Sequence, residues 1–234
     1  MKSRPGIEEI DTLVLEMAKD EDFYPCSSEP EVLLLLYSLV MLTRPNTILE
    51  LGTFKGAAAL YMALALSHIG AGKIITVDIH DHAGANFQKS GLGAFIKQII
   101  GSSQEVLPGI KEKIDLAFVD TVHEYDHVMM EFAHIDPLLT SNGLILFHDT
   151  IAWEGVGRAV QEIQKLSNYE GVTLSTPLTE GREIHRNLPS GITLIRKIGA
   201  FVPQTAGDEI DRMIDRAKML AAESARRRLN RSSP

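Results

Sequence analysis

The feature that most constrains this chain is an alternation. From about residue 45 to residue 200, short apolar runs of strand character recur, and segments with helical periodicity separate them. The strand candidates are residues 47–51, 74–78, 98–100, 114–120, 143–148, 172–176 and 192–197. Runs this apolar, separated by helices, predict a parallel sheet covered on both faces. The intervening helices are expected over residues 55–69, 84–95, 125–139 and 154–168, with two more before the sheet over 5–20 and 29–43. Val32–Leu36 and Leu39–Leu42 make the second of these apolar on most faces, which predicts a buried helix. Pro45 and Asn46 then break it. Between the last two strands lies only the polar loop Pro177–Ser190, so those strands are expected to pair antiparallel. Residues 207–231 carry Ile210, Met213, Ile214, Ala217, Leu220 and Ala221 at helical spacing, a stripe that packs on its own domain or forms a homodimer contact. The expected organisation is an N-terminal helical cap over 1–45, the sheet domain over 46–200, and an amphipathic helix with a basic tail over 201–234.

Composition narrows the partners. The 234 residues include 23 basic and 31 acidic side chains, a net charge of −8. Such a surface disfavours nucleic acid, because phosphate neutralisation needs clustered Lys and Arg. The one basic cluster, Arg226, Arg227, Arg228 and Arg231, reads as a solvated tail, with RNA contact a weak second reading. The longest apolar stretch, Ala57–Leu66, is far too short to cross a bilayer, and residues 1–30 lack the pattern of a secretory signal. Cys26 is the single cysteine, so neither an intrachain disulfide nor a multi-cysteine zinc site is expected. These features predict a cytoplasmic protein with no membrane or nucleic-acid partner.

The segment from Ile48 to Gly56 reads Ile-Leu-Glu-Leu-Gly-Thr-Phe-Lys-Gly and joins the first sheet strand to a helix. Gly52 and Gly56 permit turn angles and backbone approaches that a side chain forbids. No lysine–hydroxyl pair follows Gly56, which excludes a Walker loop, and the dinucleotide pattern G-x-G-x-x-G is absent. An acid at the strand end, Glu50, repels a pyrophosphate but suits the ammonium or sulfonium end of a cationic ligand. Asp78 ends the next strand, where α/β sheets commonly hold a ribose through its hydroxyls.

In order along the chain, E-L-G-T-F-K-G, V-D, G-S-S-Q-E-V-L-P, F-V-D and H-D-T resemble the class I S-adenosylmethionine-dependent methyltransferases. The resemblance is to small-molecule O-methyltransferases of the catechol and caffeoyl-coenzyme A type, and to macrolide-sugar and cephalosporin-hydroxylase-like relatives. It covers about residues 25–197 and implies an α/β, Rossmann-like sheet of seven strands, mostly parallel with the last antiparallel and helices on both faces. It also implies S-adenosylmethionine as cofactor, with Glu50, Gly52, Thr53 and Gly56 facing its methionine part and Asp78 its ribose. Ser102, Ser103 and Gln104 would lie near the adenine, Ile79 and His80 would flank it, and Ser27 and Ser28 would contact cofactor and acceptor.

Two more strand ends carry the chemistry: Phe-Val-Asp120-Thr-Val-His123 and Phe-His148-Asp149-Thr150. On neighbouring strands, Asp120 and Asp149 would share a divalent cation, with Mg²⁺ suited to the oxygens and Mn²⁺ to an added nitrogen from His148. Methyl transfer to oxygen needs a partly deprotonated acceptor hydroxyl, and His123 is the best base candidate, neutral at pH 7 if its pKa is ordinary. Catechol-type relatives have a lysine at this offset, and some sugar-type relatives a histidine. The chain departs from both groups at 148–150: Asp149-Thr150 stands for Asp-Asn, or His148-Asp149 for Glu-Asp. His148 orienting Asp149 or acting on the acceptor is therefore a second possible role. Trp153 is expected beside the acceptor or in an apolar lid, Tyr125, His127 and His134 as packing or surface residues, and His80, Asp81 and His82 as a solvated loop. The expected reaction is methyl transfer to a phenol or sugar hydroxyl of a small molecule. The alternatives are a metal-independent methyltransferase acting on another atom, and a non-catalytic cofactor-binding protein.

Overall fold

The computed structural model describes residues 5–19, 27–176 and 189–198. All of them belong to one compact unit, residues 1–199. Cys26, the loop residues Glu180, Arg182, Glu183, His185 and Arg186, and the expected helix 207–231 with its arginines lie outside the described residues.

The strands are β1 (Thr47–Leu51), β2 (Lys73–Asp78), β3 (Ile96–Ile100), β4 (Ile114–Val119), β5 (Leu139–His148), β6 (Tyr169–Leu174) and β7 (Ile192–Lys197). They form one sheet in the order β3-β2-β1-β4-β5-β7-β6. β7 runs antiparallel to β5 and β6, and the remaining pairs are parallel. This is the expected topology.

Side chains alternate across a strand, so each strand feeds two cores. Ile48, Ile74, Leu116, Phe118 and Leu146 enter the core built with α1 (Ile7–Met17), α2 (Pro30–Thr43), α3 (Ala57–Ile69) and α4 (Gly84–Ser90). Leu49, Leu51, Val77, Val119 and Phe147 enter the opposite core, with α5 (Ser103–Val106) near one end and α6 (Tyr125–Ile135) and α7 (Glu154–Ile163) over the strands.

Several boundaries differ from expectation for local reasons. The helix buried on all sides is α3, where every residue from Ala57 to Ser67 is buried. In α2, Leu34 and Leu42 are exposed, so its apolar sequence exceeds the face it buries. The helix expected over 84–95 stops at Ser90, because Gly91 adopts φ +71° and caps it, and a 3₁₀ turn follows at Gly93–Phe95. The helix expected to reach residue 139 ends at Ile135, just before Pro137, and β5 starts at Leu139. A helical turn not expected, α5, follows β3; it starts with a capping box in which Ser102 accepts from the Glu105 N–H and Glu105 reaches back to the Ser102 N–H. Among the described residues no helix is long and apolar enough to cross a membrane.

Candidate active site

The alternation that builds the first core also assembles the site. Two residues beyond Ile48 comes Glu50; beyond Ile74 come Thr76 and Asp78; beyond Phe118 comes Asp120; beyond Leu146 comes His148. All therefore meet on one face at the carboxyl edge of the sheet, where open α/β folds bind ligands. A cleft there is lined by Ser28, Gly52, Thr53, Asp78, Phe118 and Asp120 among others. It measures about 400 Å³ including its open mouth and about 80 Å³ within, so a cofactor-sized ligand would lie along the sheet edge and not in a closed cavity.

Glu50 is completely buried. Its parallel register partner is Thr76, whose hydroxyl bonds to Glu50 Oε2 and lies 2.5 Å from the Thr53 hydroxyl. Glu50 Oε1 has no hydrogen-bond partner. Burial, with Asp120 and Asp78 adding repulsion, pushes the Glu50 carboxyl up to about 8. The expected anionic strand end is thus a neutral acid at pH 7 until a positive charge arrives. An orphaned, ionisable oxygen buried behind Thr53, which lines the cleft, fits a cationic ligand bound nearby.

The glycines have a sharper reason than ligand approach. Gly52 sits at φ +90°, and a Cβ there would lie 1.8 Å from the Asp120 carbonyl oxygen. Gly56 sits at φ +89°, where a Cβ would meet the Phe87 ring at 2.4 Å. Asp78 is clamped by backbone donors, Phe54 N–H to Oδ2 at 2.7 Å and His80 N–H to Oδ1 at 3.0 Å, which leaves lone pairs on both oxygens for further donors. Ile79 follows it as an exposed apolar side chain. Ser102 is occupied with its own helix cap, and the buried Ser103 hydroxyl lies 3.1 Å from His127 Nε2.

Past Asp120 the carboxylates meet the histidines. Ser28 donates to Asp120 Oδ2 at 3.1 Å. His123 Nε2 lies 2.9 Å from Asp149 Oδ2 and 3.8 Å from Asp120 Oδ1. Asp149 takes φ +59°, in the left-handed region that Asp tolerates better than most residues, and this follows directly on the end of β5. Asp120, His123 and Asp149 together offer ligand atoms all within 4.8 Å of one another. His148 lies against two of these carboxylates: its Nδ1 lies 3.3 Å from Asp120 Oδ2 and 3.6 Å from Asp149 Oδ1, and its Nε2 lies 2.7 Å from Glu29 Oε2. Three of these atoms, His123 Nε2, His148 Nδ1 and Asp149 Oδ1, are buried without a well-aligned hydrogen bond, although both nitrogens lie close to carboxylate oxygens. Nitrogen and carboxylate atoms converging on one spot fit a divalent cation.

Electrostatics follow from this packing. Burial alone would raise the Asp120 carboxyl, but His148 and His123 hold it well below the usual range. Burial disfavours a charged His123, yet Asp120 and Asp149 pull it up to about 9. The expectation that His123 is neutral at pH 7 is therefore corrected for the ligand-free site, since two carboxylates keep its proton on. Burial opposes and Asp120, Glu29 and Asp149 outweigh it to hold His148 well above its ordinary value.

The remaining candidates separate cleanly. Trp153 stacks on His123 with ring centroids 4.7 Å apart and planes at 11°, which restrains that imidazole. The Thr150 hydroxyl accepts from Thr193 at 3.1 Å. Tyr125 packs under Arg158, His134 Nδ1 lies 2.9 Å from the Met130 carbonyl, and His127 bonds to the buried Glu131. Asp81 accepts from Gly84 N–H at the start of α4. Glu29 is the residue that sequence reasoning missed. In the sequence it stands as the first residue of a helix, and no local signal marks its contact with His148.

A family model described as a methyltransferase domain matches residues 49–150. The O-methyltransferase hkm8 of Aspergillus hancockii is 33% identical over 118 residues, covering 49% of this chain and 46% of that protein. Catechol O-methyltransferase of Sus scrofa is 24% identical over 149 residues, covering 60% of this chain and 79% of that protein. The chain thus spans about half the length of the fungal relative. The structure of O-methyltransferase TomG from Streptomyces achromogenes, in complex with S-adenosylmethionine, superposes with a TM-score of 0.69 at 19% identity, covering 85% of this chain and 93% of that one. The chain is thus similar over residues 49–150 to a methyltransferase family model and shares the α/β, Rossmann-like fold of solved O-methyltransferases, in agreement with the expected resemblance.

Proposed function

We propose that the protein transfers a methyl group from S-adenosylmethionine to a hydroxyl of a small molecule, a phenol or a sugar, with a divalent cation at the carboxylate cluster. The observation that carries this reading is the double position of Asp120. It lines the cleft beside Gly52 and also belongs to the cluster with His123 and Asp149, so donor and acceptor would meet across one carboxylate. Glu50 and Asp78 supply the acids for the cofactor's cationic and ribose ends.

Exposure divides the two histidines between two tasks. The His123 side chain is 28% exposed and that of His148 only 3%. A base must reach the acceptor, whereas a ligand need only reach the ion, so His123 is the base and His148 joins Asp120 and Asp149 in holding the cation. Bound there, the cation would lower the acceptor hydroxyl's pKa and orient it. With their charge taken up by a cation, Asp120 and Asp149 would hold the His123 proton less tightly, and the ring would lose that proton to solvent before serving as the base. His123 accepts the hydroxyl proton as the acceptor oxygen bonds to the methyl carbon and the carbon–sulfur bond breaks, its electrons leaving on sulfur. Trp153 keeps the imidazole in place for this step.

Calorimetry with S-adenosylhomocysteine tests the first half, and absence of binding would reject it. For the second half, His123→Ala is expected to lower kcat on an identified acceptor about 10²–10⁴-fold while leaving S-adenosylhomocysteine affinity within about threefold. Unchanged turnover would remove His123 from the mechanism. Chelation is expected to abolish turnover and added Mn²⁺ to restore it. Turnover insensitive to chelation would favour the metal-independent alternative.

A further inference from the structure

Glu29 is the N-cap residue of α2, yet its side chain does not cap that helix. An N-cap side chain ordinarily accepts from its own first turn. Here the carboxylate is 1% exposed and directed inward. Oε2 lies 2.7 Å from His148 Nε2, across 119 residues of sequence, and Oε1 accepts from the Thr176 hydroxyl at 3.3 Å. Thr176 is itself fixed by the Gly191 N–H at 3.0 Å. The helix start, the end of β5 and the start of β7 are thereby joined at one buried carboxylate.

A carboxylate oxygen only accepts, so the bond to Glu29 places a hydrogen on His148 Nε2. Nδ1 is left facing Asp120 Oδ2 at 3.3 Å and Asp149 Oδ1 at 3.6 Å. Between two carboxylates this nitrogen needs a positive centre, a proton in the metal-free protein and a cation in its place when one binds. Ligating imidazoles are commonly oriented in this way, by a carboxylate on the opposite ring nitrogen. We propose that Glu29 is a positioning residue that presents His148 Nδ1 as a metal donor, so that the site selects Mn²⁺ or a similar nitrogen-accepting ion over Mg²⁺. The selectivity follows from donor type: Mg²⁺ favours oxygen and water, whereas first-row transition ions gain from imidazole. This inference rests on the metal-assisted reading above.

The test uses the full chain, stripped of metal and loaded with S-adenosylhomocysteine, with Mn²⁺ and Mg²⁺ titrated separately. The wild type is expected to bind Mn²⁺ at least about tenfold more tightly than Mg²⁺. Spin-echo spectra of the Mn²⁺ form should show a directly bound ¹⁴N that persists in His123→Ala and disappears in His123→Ala/His148→Asn. Glu29→Ala is expected to weaken Mn²⁺ binding about 10–100-fold with little change for Mg²⁺. Glu29→Gln keeps the shape and serves if the alanine variant does not fold; a loss of about threefold or more is expected. Unchanged Mn²⁺ affinity in a folded Glu29 variant, equal affinity for the two ions in wild type, or no ¹⁴N coupling from His148 would each overturn the proposal. Those results leave S-adenosylhomocysteine binding intact, whereas failure of the methyltransferase reading would show as its absence in the wild type.

Discussion

Glu50→Gln is expected to stabilise the ligand-free protein by about 3 kcal/mol at pH 7 and to weaken its hold on S-adenosylmethionine. Burial raises the folded-state carboxyl from 4.5 to about 8. Between those values the unfolded chain ionises and the folded one keeps its proton, so stability falls as pH rises through that window and levels off above it. From 4.5 to 7 the loss at about 1.4 kcal/mol per pH unit amounts to about 3 kcal/mol. An amide forfeits no proton and escapes this loss. It can also bond the Thr76 hydroxyl as the acid does. Denaturant melts of both proteins at pH 4.5, 6 and 7.5 check the claim: the curves should nearly coincide at the lowest pH and separate steadily above it. Parallel curves would show that Glu50 ionises normally. Calorimetry supplies the other half. The acid can turn anionic beside the cofactor's cationic end and the amide cannot, so affinity should fall in the variant, and the proton that wild type releases on binding should vanish with it.

The sequence made the acids visible because a parallel sheet collects strand ends at one edge. Glu50, Asp78, Asp120 and Asp149 each follow a short apolar run, and the structure brings Asp120 and Asp149 together with His123. Three things were harder to read. The capping box that starts α5 was present in Ser102-Ser-Gln-Glu105, but the resemblance drew those residues toward adenine instead. The charge of His123 depends on distances to two carboxylates, one of them 26 positions away, that no spacing rule supplies. Glu29 meets its partner only because the start of α2 packs over the end of β5, a contact that tertiary structure alone creates.

Gly52→Ala carries the other large effect. The two turns beside β1 are fixed by backbone bonds, Gly52 N–H to the Val77 carbonyl and Asp120 N–H to the Leu51 carbonyl, both at 2.9 Å. The space a methyl group would need is filled by the Asp120 carbonyl oxygen, 1.8 Å away, and backbone cannot rotate aside as a flexible side chain can. The left-handed φ adds its own cost of about 1–2 kcal/mol for a residue with a Cβ. A total of about 3–5 kcal/mol is expected, near the upper end for single substitutions, and a fall in melting temperature of about 10 °C. Gly109→Ala is the control: a Cβ there meets nothing within 4 Å, and its effect should stay within about 0.5 kcal/mol. Because the displaced oxygen belongs to Asp120, relief of the clash shifts the carboxylate that joins the cleft to the histidines. S-adenosylhomocysteine binding should therefore weaken even below the lowered melting point, where the variant is still folded. A variant that melts with wild type would mean that β1 and β4 separate easily at this edge, and one that melts early but binds normally would mean that Asp120 can move without consequence for the cleft.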